Sequence, residues 1–317
     1  MNLTYLRRHI QMKKVLAVLL CIMLILSLSS CTKSAPDTSQ GKTEEGYPLT
    51  VTDSLGREVV LEKAPQKFVS LSPAITEILF ALGAGEQVIG VSEYCDYPEE
   101  ALEKPKMGDF TNPNFEVILE AEPDIIFVAA GIQEDFINRF SELGVQIAVL
   151  DAENVEQVLE NIELAGKIAN RNTEAKELKE ELQDRIQTVK EKIAATDTTP
   201  SVFFEVWDDP LMTAGPGSFI HDLIELAGGK NIAEDLPERF AEFSKELLLE
   251  RDPDIYLLNN HTHTPEEVKT RPGYAQLKAV QSGLVYSIED DLVTLPGPRI
   301  VDGLEQMAQI IHPELFE

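Results

Sequence analysis

The chain has 317 residues, with 27 Lys plus Arg against 55 Asp plus Glu and a formal net charge of −28. An acidic surplus of that size excludes nucleic acid and large anionic surfaces as partners, because both are held by basic patches. The length is enough for two lobes, each with a core of its own.

At the start, Arg7, Arg8, Lys13 and Lys14 precede an apolar run, VLAVLLCIMLILSL, that closes on LSSC at Cys31. The run is shorter than the roughly 20 apolar residues of a membrane span. Its basic start and small-residue end describe a secretory signal over residues 1–31. Met12, followed by two lysines, is a second plausible start of translation. Removing the signal leaves 23 basic and 55 acidic residues, a net of −32. TKSAPDTSQGKTEEG then reads as a polar, flexible tether over residues 32–46. Cys95 is the single cysteine left in the folded part. It has no partner for an internal disulfide and reads as a small, partly buried residue.

YPLTVTD and REVVLE alternate around SLG and predict a β-hairpin. KFVSLSP is a short buried strand, and ITEILFALGAG a helix opened by Pro73 and stopped by glycines. QVIGVS, DIIFVAA and VQIAVLD are further strands, with helices NFEVILEAE and EDFINRFSELG between them. Such alternation predicts α/β architecture with parallel sheets covered on both faces. Val155, Val158, Leu159, Ile162 and Ile168 keep helical spacing. So do Ala175, Leu178, Leu182, Ile186, Val189 and Ile193, on a long amphipathic helix. After TDTTP the alternation restarts: strands SVFFEVW, PDIYLLNN and GLVYSIE, and helices GSFIHDLIELAGG, SKELLLERD and IVDGLEQMAQII.

Two phrases recur. FEVILEAEPDIIFV at 115–128 matches KELLLERDPDIYLL at 245–258, and TEILFALGAGEQVIG echoes HDLIELAGGKNIA. Two echoes in the same order, flanking one long helix, predict two similar lobes: 47–170, an inter-lobe helix at 171–197, and 198–317.

Catalytic signatures are missing: the chain has no G-x-S-x-G elbow, no phosphate loop and no H-E-x-x-H. His261 and His263 in NNHTHTPEE are the one histidine pair, a weak candidate for a metal or for the metal of a ligand, against the plainer reading of a polar loop. AGPGS before a helix allows an anion-binding turn or an ordinary helix entry.

From about Tyr47 onward the chain resembles the helical-backbone substrate-binding proteins of ABC importers, which serve cobalamin, ferric siderophores and haem. KFVSLSPAITEILFALGAGEQVIGVSEYCDYPEE and the following residues to DIIFV look like their N-lobe. FFEVWDDPLMTAGPGSFIHDLIELAGGKNI and GPRIVDGLEQMA look like their C-lobe, and the nearest likeness within the group is to its cobalamin-binding members. Leu28, Ser29, Ser30 and Cys31 resemble a lipobox, which implies that Cys31 is acylated and anchors the chain on the outer face of the cytoplasmic membrane. The resemblance implies docking of Glu116 and Glu246 onto arginines of a permease dimer that works with ATPase subunits, the binding protein itself being a monomer. The plainer reading of both glutamates is a favourable acid in a helix's first turn. Ligand contacts carried over by match are Tyr94 and Phe110 from the N-lobe, with Met212, Phe240 and the residues from Asp291 to Leu295 from the C-lobe. Trp207 joins them as an aromatic at a strand's carboxyl end. Arg299 has two readings, an anionic ligand group or a neighbouring carboxylate. Some cobalamin-binding relatives hold several tryptophans where this chain has Phe110, Phe240 and FVAAG, which leaves corrinoid, haem and ferric siderophore open. No intrinsic cofactor is expected. A divalent-metal carrier using His261, His263 and acids, a surface hydrolase and a sensor domain are the more distant readings. A stiff helical connection restricts lobe closure to a small angle.

Overall fold

The computed structural model describes residues 46–109, 112–129, 134–261 and 263–316; the expected lipidation site Cys31 and the cleft candidate Phe110 lie outside them. A hairpin, β1 (Leu49–Thr52) and β2 (Glu58–Leu61), pairs antiparallel ahead of the first lobe. That lobe runs β3 (Phe68–Ser70), α1 (Pro73–Ala81), β4 (Val88–Val91), α2 (Phe115–Glu120), β5 (Ile125–Val128), α3 (Glu134–Glu142) and β6 (Gln146–Val149). Its four strands lie in the order β4-β3-β5-β6, all parallel. Two helices follow, α4 (Val155–Ile168) and α5 (Asn172–Ile193), the second ending four residues before the predicted limit at 197. The second lobe contains β7 (Ser201–Asp208), β8 (Leu211–Ala214), α6 (Phe219–Leu226), β9 (Lys230–Asn231) and β10 (Phe240–Glu242). It continues through α7 (Lys245–Arg251), β11 (Ile255–Asn259), α8 (Pro265–Thr270), α9 (Lys278–Gln281), β12 (Val285–Ile288), α10 (Asp291–Thr294) and α11 (Ile300–Ile311).

The second sheet has the order β10-β8-β7-β11-β12, with β9 also beside β7. Its core, β9, β7, β11 and β12, is parallel and repeats the order of the first lobe. Strands β8 and β10 depart from the all-parallel expectation, pairing antiparallel to β7 and to each other. Asp208-Asp209-Pro210 supplies the tight reversal that sends β8 back along β7, which a run of alternating strands and helices does not announce.

The doubled phrase has a shared mechanical role. Asn114 caps α2 by accepting from the Val117 amide at 3.2 Å, and Ser244 caps α7 by accepting from Leu247 at 3.1 Å. Each helix is followed by a left-handed residue, Glu122 at φ 50° and Asp252 at φ 41°, which turns the chain into Pro-Asp. The aspartate then braces the neighbouring strand. Asp124 accepts from the amides of Gln66 and Lys67 at 2.8 and 3.0 Å, just before β3. Asp254 accepts from the amide and hydroxyl of Ser201, at 2.9 and 2.6 Å, where β7 begins. The second echo holds as well, since α1 and α6 lead through glycine turns into β4 and β9, which pair with β3 and β7.

One continuous apolar core joins the lobes. Phe68, Ile75, Leu79 and Phe127 of the first lobe and Phe204, Leu223, Leu257 and Met307 of the second belong to a single buried cluster. Ile162 of α4 and Leu182, Ile186 and Val189 of α5 belong to it too. A separate cluster lies on the outer face of each sheet, around Ile126 and Phe140 in one lobe and around Phe203 and Tyr256 in the other. The lobes are thus fused along their inner faces as well as tethered by α5, an arrangement suited to small-angle closure.

Gly303 shows how the last helix sets the cleft-side loops. A Cβ there would lie 2.1 Å from the Leu292 carbonyl oxygen and 2.9 Å from its carbon, both backbone atoms of α10 that cannot swing aside. Glycine inside a helix ordinarily costs about 1 kcal/mol relative to alanine, so close packing of α10 on α11 explains its presence. Gly303→Ala is expected to lower stability by about 1–3 kcal/mol despite the better helix propensity, read as a lower denaturant midpoint at unchanged slope. A gain in midpoint would show that α10 is free to move away.

Candidate ligand-binding site

In open parallel sheets the carboxyl ends of the strands line the ligand crevice. Tyr94, Trp207 and Asp291 follow or close such ends and Met212 lies opposite Trp207, whereas Phe240 opens β10 level with Ala214. Beyond β4 comes the loop carrying Tyr94 and Tyr97, which are 57% and 47% exposed. Trp207 stands at the end of β7, 53% exposed, and Phe240 on β10, 46% exposed. Trp207 is directly opposite Met212 on β8, while Phe240 and Glu242 pair with Ala214 and Met212. Opposed residues share a face and alternate residues return to it. Trp207, Met212 and Phe240 therefore share one face, which also carries exposed Glu242, through the very antiparallel strands that sequence periodicity missed. Large aromatics left about half exposed at strand ends are the walls expected of a ligand site.

Arg299, just before α11, has a definite partner. Its Nε and Nη2 donate to the two carboxylate oxygens of Glu77 at 3.1 and 2.6 Å. Glu77 lies on α1 of the other lobe and is only 4% exposed. The guanidinium carbon also lies 4.0 Å from the centroid of the Tyr97 ring, and Asp291 and Glu289 approach at 3.6 and 3.9 Å. Of the two readings of Arg299, the neighbouring carboxylate is the one seen. Burial pushes the Glu77 carboxyl above its usual range even though Arg299 pulls it the other way. Gly297 permits the approach, as a Cβ there would come within 2.9 Å of a Glu77 oxygen. Neither Glu77 nor Tyr97 stands out in sequence reasoning, although an acid within the apolar helix ITEILFALG was the available sign.

His261 and His263, two positions apart in the polar loop after β11, go separate ways. His263 Nε2 pairs with an Asp208 oxygen at 2.7 Å, and its Nδ1 faces Glu267 at 3.6 Å. Burial opposes ionisation of Asp208, yet the hydrogen bond and charge of His263 hold its carboxyl below the usual range. Exposed His261 instead has a ring nitrogen within 4.8 Å of carboxylate oxygens of both Asp290 and Asp291. Asp290 is raised by burial, with Asp291 adding to the effect. Behind β7, Glu205 is fully buried and takes two bonds from Arg271, at 2.5 and 2.9 Å, together with the Tyr256 hydroxyl. Cys95 is also buried, with its sulfur 3.2 Å from the Thr76 hydroxyl and 3.3 Å from that of Ser92.

Away from the cleft, Glu116 and Glu246 occupy matching places. Each is the second residue of its helix, α2 or α7, and each is exposed. The helices occupy the same position in their lobes, delivering β5 and β11 to the sheets.

The family model of the periplasmic binding proteins matches residues 68–292. The chain belongs to that family. Periplasmic binding proteins capture solutes for transport and catalyse no reaction, so this member is a binding protein and not an enzyme. Over 308 residues, 95% of this chain and 97% of the relative, it is 29% identical to an uncharacterized ABC transporter substrate-binding lipoprotein, YvrC, of Bacillus subtilis. It is 27% identical over 243 residues to the vitamin B12-binding protein of Vibrio cholerae, covering 76% of this chain and 87% of that one. The crystal structure of a Vibrio cholerae periplasmic B12-binding protein superposes with a TM-score of 0.70 at 25% identity, over 80% of this chain and 99% of the other. A possible iron-binding periplasmic protein of Staphylococcus epidermidis superposes with a TM-score of 0.71 at 28% identity, over 79% and 100%. The two-lobed α/β architecture with parallel cores is therefore that of this group of periplasmic binding proteins. No helix among the described residues is long and apolar enough to cross a membrane.

Proposed function

We propose that this chain, a substrate-binding component of an ABC importer of the B12, haem and siderophore group, carries a cobalamin-like corrinoid. The observation that carries this reading is that both lobes leave large aromatics exposed, Tyr94 and Tyr97 on one and Trp207 and Phe240 on the other. A corrin ring is a broad, largely apolar plate, and such side chains can cover it from both sides while leaving its polar periphery to the rim. The likeness to B12-binding relatives supports the same choice. On this reading Cys31 carries the lipid that holds the protein on the outer face of the cytoplasmic membrane. Glu116 and Glu246 guide it onto the permease, where such charges act mainly on encounter and register.

Colour provides the test. Protein mixed with cyanocobalamin and dialysed is expected to retain the corrinoid absorption bands at one equivalent. Complete loss of those bands, with retention of a ferric chelate treated identically, would replace the corrinoid by an iron carrier.

A further inference from the structure

The charges around the exposed aromatics narrow the ligand further, an inference that rests on the importer reading above. The carboxyl ends of the C-lobe strands and the residues beyond them carry Asp208, which closes β7, then Asp209, and Glu289, Asp290 and Asp291 after β12. The C-lobe arginines Arg239, Arg271 and Arg299, and His263 on the loop after β11, are already engaged by carboxylates. Arg271 makes two bonds to buried Glu205, and Arg299 makes two to buried Glu77. His263 is held between Asp208 and Glu267, and Arg239, beside Phe240, pairs with Glu153. On the N-lobe side, Lys106 donates to the Cys95 carbonyl at 2.9 Å, in a loop that also carries Glu93, Asp96 and Asp109.

We infer that the cleft selects a metal-chelate ligand of zero or positive net charge and discriminates against anionic ones. Within the C-lobe a bound anion would have to draw Arg299 or Arg271 away from a buried carboxylate, stranding that charge, or sit against Asp290 and Asp291; Lys106, bonded only to a carbonyl, keeps its charge on the N-lobe side. Either arrangement is costly: stranding one member of a buried pair, like juxtaposing like charges, costs several kcal/mol. Cyanocobalamin is neutral overall, its corrin, cyanide and phosphodiester charges balancing cobalt(III), and aquacobalamin is cationic. Neutral ferric trihydroxamates also satisfy the rule, whereas haem with its two propionates and ferric tricatecholates do not.

The test is a binding panel on the intact mature protein, read by calorimetry and by quenching of Trp207, the single tryptophan. Its members are cyanocobalamin, aquacobalamin, a neutral ferric trihydroxamate, haemin and a ferric tricatecholate. A neutral or cationic member is expected to bind at least about 100-fold more tightly than either anionic one, the factor that about 2.8 kcal/mol represents. In the Asp290→Asn/Asp291→Asn double variant that ratio should shrink about tenfold through a gain in haemin affinity, roughly 1.4 kcal/mol. Haemin or the tricatecholate binding within tenfold of the best neutral ligand overturns the charge rule and leaves the importer reading standing. Tight binding of the trihydroxamate alone supports the charge rule while removing the corrinoid. Failure of all five to bind a folded protein removes the importer-ligand reading and this inference with it.

Discussion

Reversing both docking charges, Glu116→Arg with Glu246→Arg, is expected to abolish ligand uptake while leaving ligand affinity and thermal stability close to those of the parent. Both glutamates are exposed residues in first helical turns, and substitution at such places usually changes stability by no more than about 0.5 kcal/mol. Loss of the favourable interaction with the helix N-terminus contributes a further few tenths. Docking is a different matter. If each lobe meets an arginine of a two-fold permease, each reversal sets like charges against each other, at a cost of several kcal/mol. Two such sites lower docking by at least about 100-fold, since 1.4 kcal/mol is a factor of ten. The measurement pairs uptake by intact cells with ligand stimulation of the permease ATPase in reconstituted membranes. Single reversals should give intermediate losses of similar size, because the two positions are equivalent in the fold. Uptake undiminished in the double variant would sink the docking assignment and favour a sensor that hands its signal to another receptor.

The sequence disclosed the architecture through local rules that tertiary packing did not need to override. Pro-Asp preceding an apolar run signalled a strand entry, and both Asp124 and Asp254 bond backbone or hydroxyl groups at the start of the adjacent strand. Glycines after ITEILFAL and HDLIEL announced the helix ends that lead into β4 and β9. Hidden from that reading were the elements whose reason is long-range. Strand β9 is two residues long and β10 three, too short for any period to show. They form because β7 offers an edge and β8 folds back against it, so their residues gain partners only once the lobe is assembled.

The candidate site was legible as a list but not as a set of relations. The family resemblance supplied Tyr94, Met212 and Phe240 and strand-end placement supplied Trp207, and the structure puts Trp207, Met212 and Phe240 on one face. Side-chain pairing over long separations was beyond reach. Nothing local indicates that Arg299 bonds a residue 222 positions earlier, or that neighbouring His261 and His263 turn to different acids. Tyr97 was passed over because its importance comes from the Arg299 guanidinium stacked on it.

The Glu77–Arg299 pair should prove the most sensitive electrostatic element of the fold. Both side chains are largely withdrawn from water, and they connect α1 of one lobe to the start of α11 in the other. Arg299→Met is expected to cost about 3–5 kcal/mol at neutral pH, because it leaves a buried carboxylate uncompensated. Glu77→Gln should cost less, since Asp291 and Glu289 stand 3.6 and 3.9 Å from the guanidinium and can partly take over. Combining the two removes both charges, and the double variant should recover much of the loss, giving a strongly non-additive cycle. The pH dependence carries a distinct signature. Burial already raises the Glu77 carboxyl above its ordinary 4.5, and without Arg299 the rise must be larger. A carboxyl whose folded value is raised binds its proton more tightly in the native state, so stability falls as pH climbs from the unfolded value through the folded one. Arg299→Met should therefore be damaged least at mildly acid pH and most above the raised value, while the double variant lacks this added slope. Denaturant titrations of the parent and three variants between about pH 5 and 8, the range that brackets a carboxyl raised by burial, would decide it. A pH-independent loss in Arg299→Met, or additive costs in the double variant, would show that the pair acts through packing alone and leaves the lobes uncoupled electrostatically.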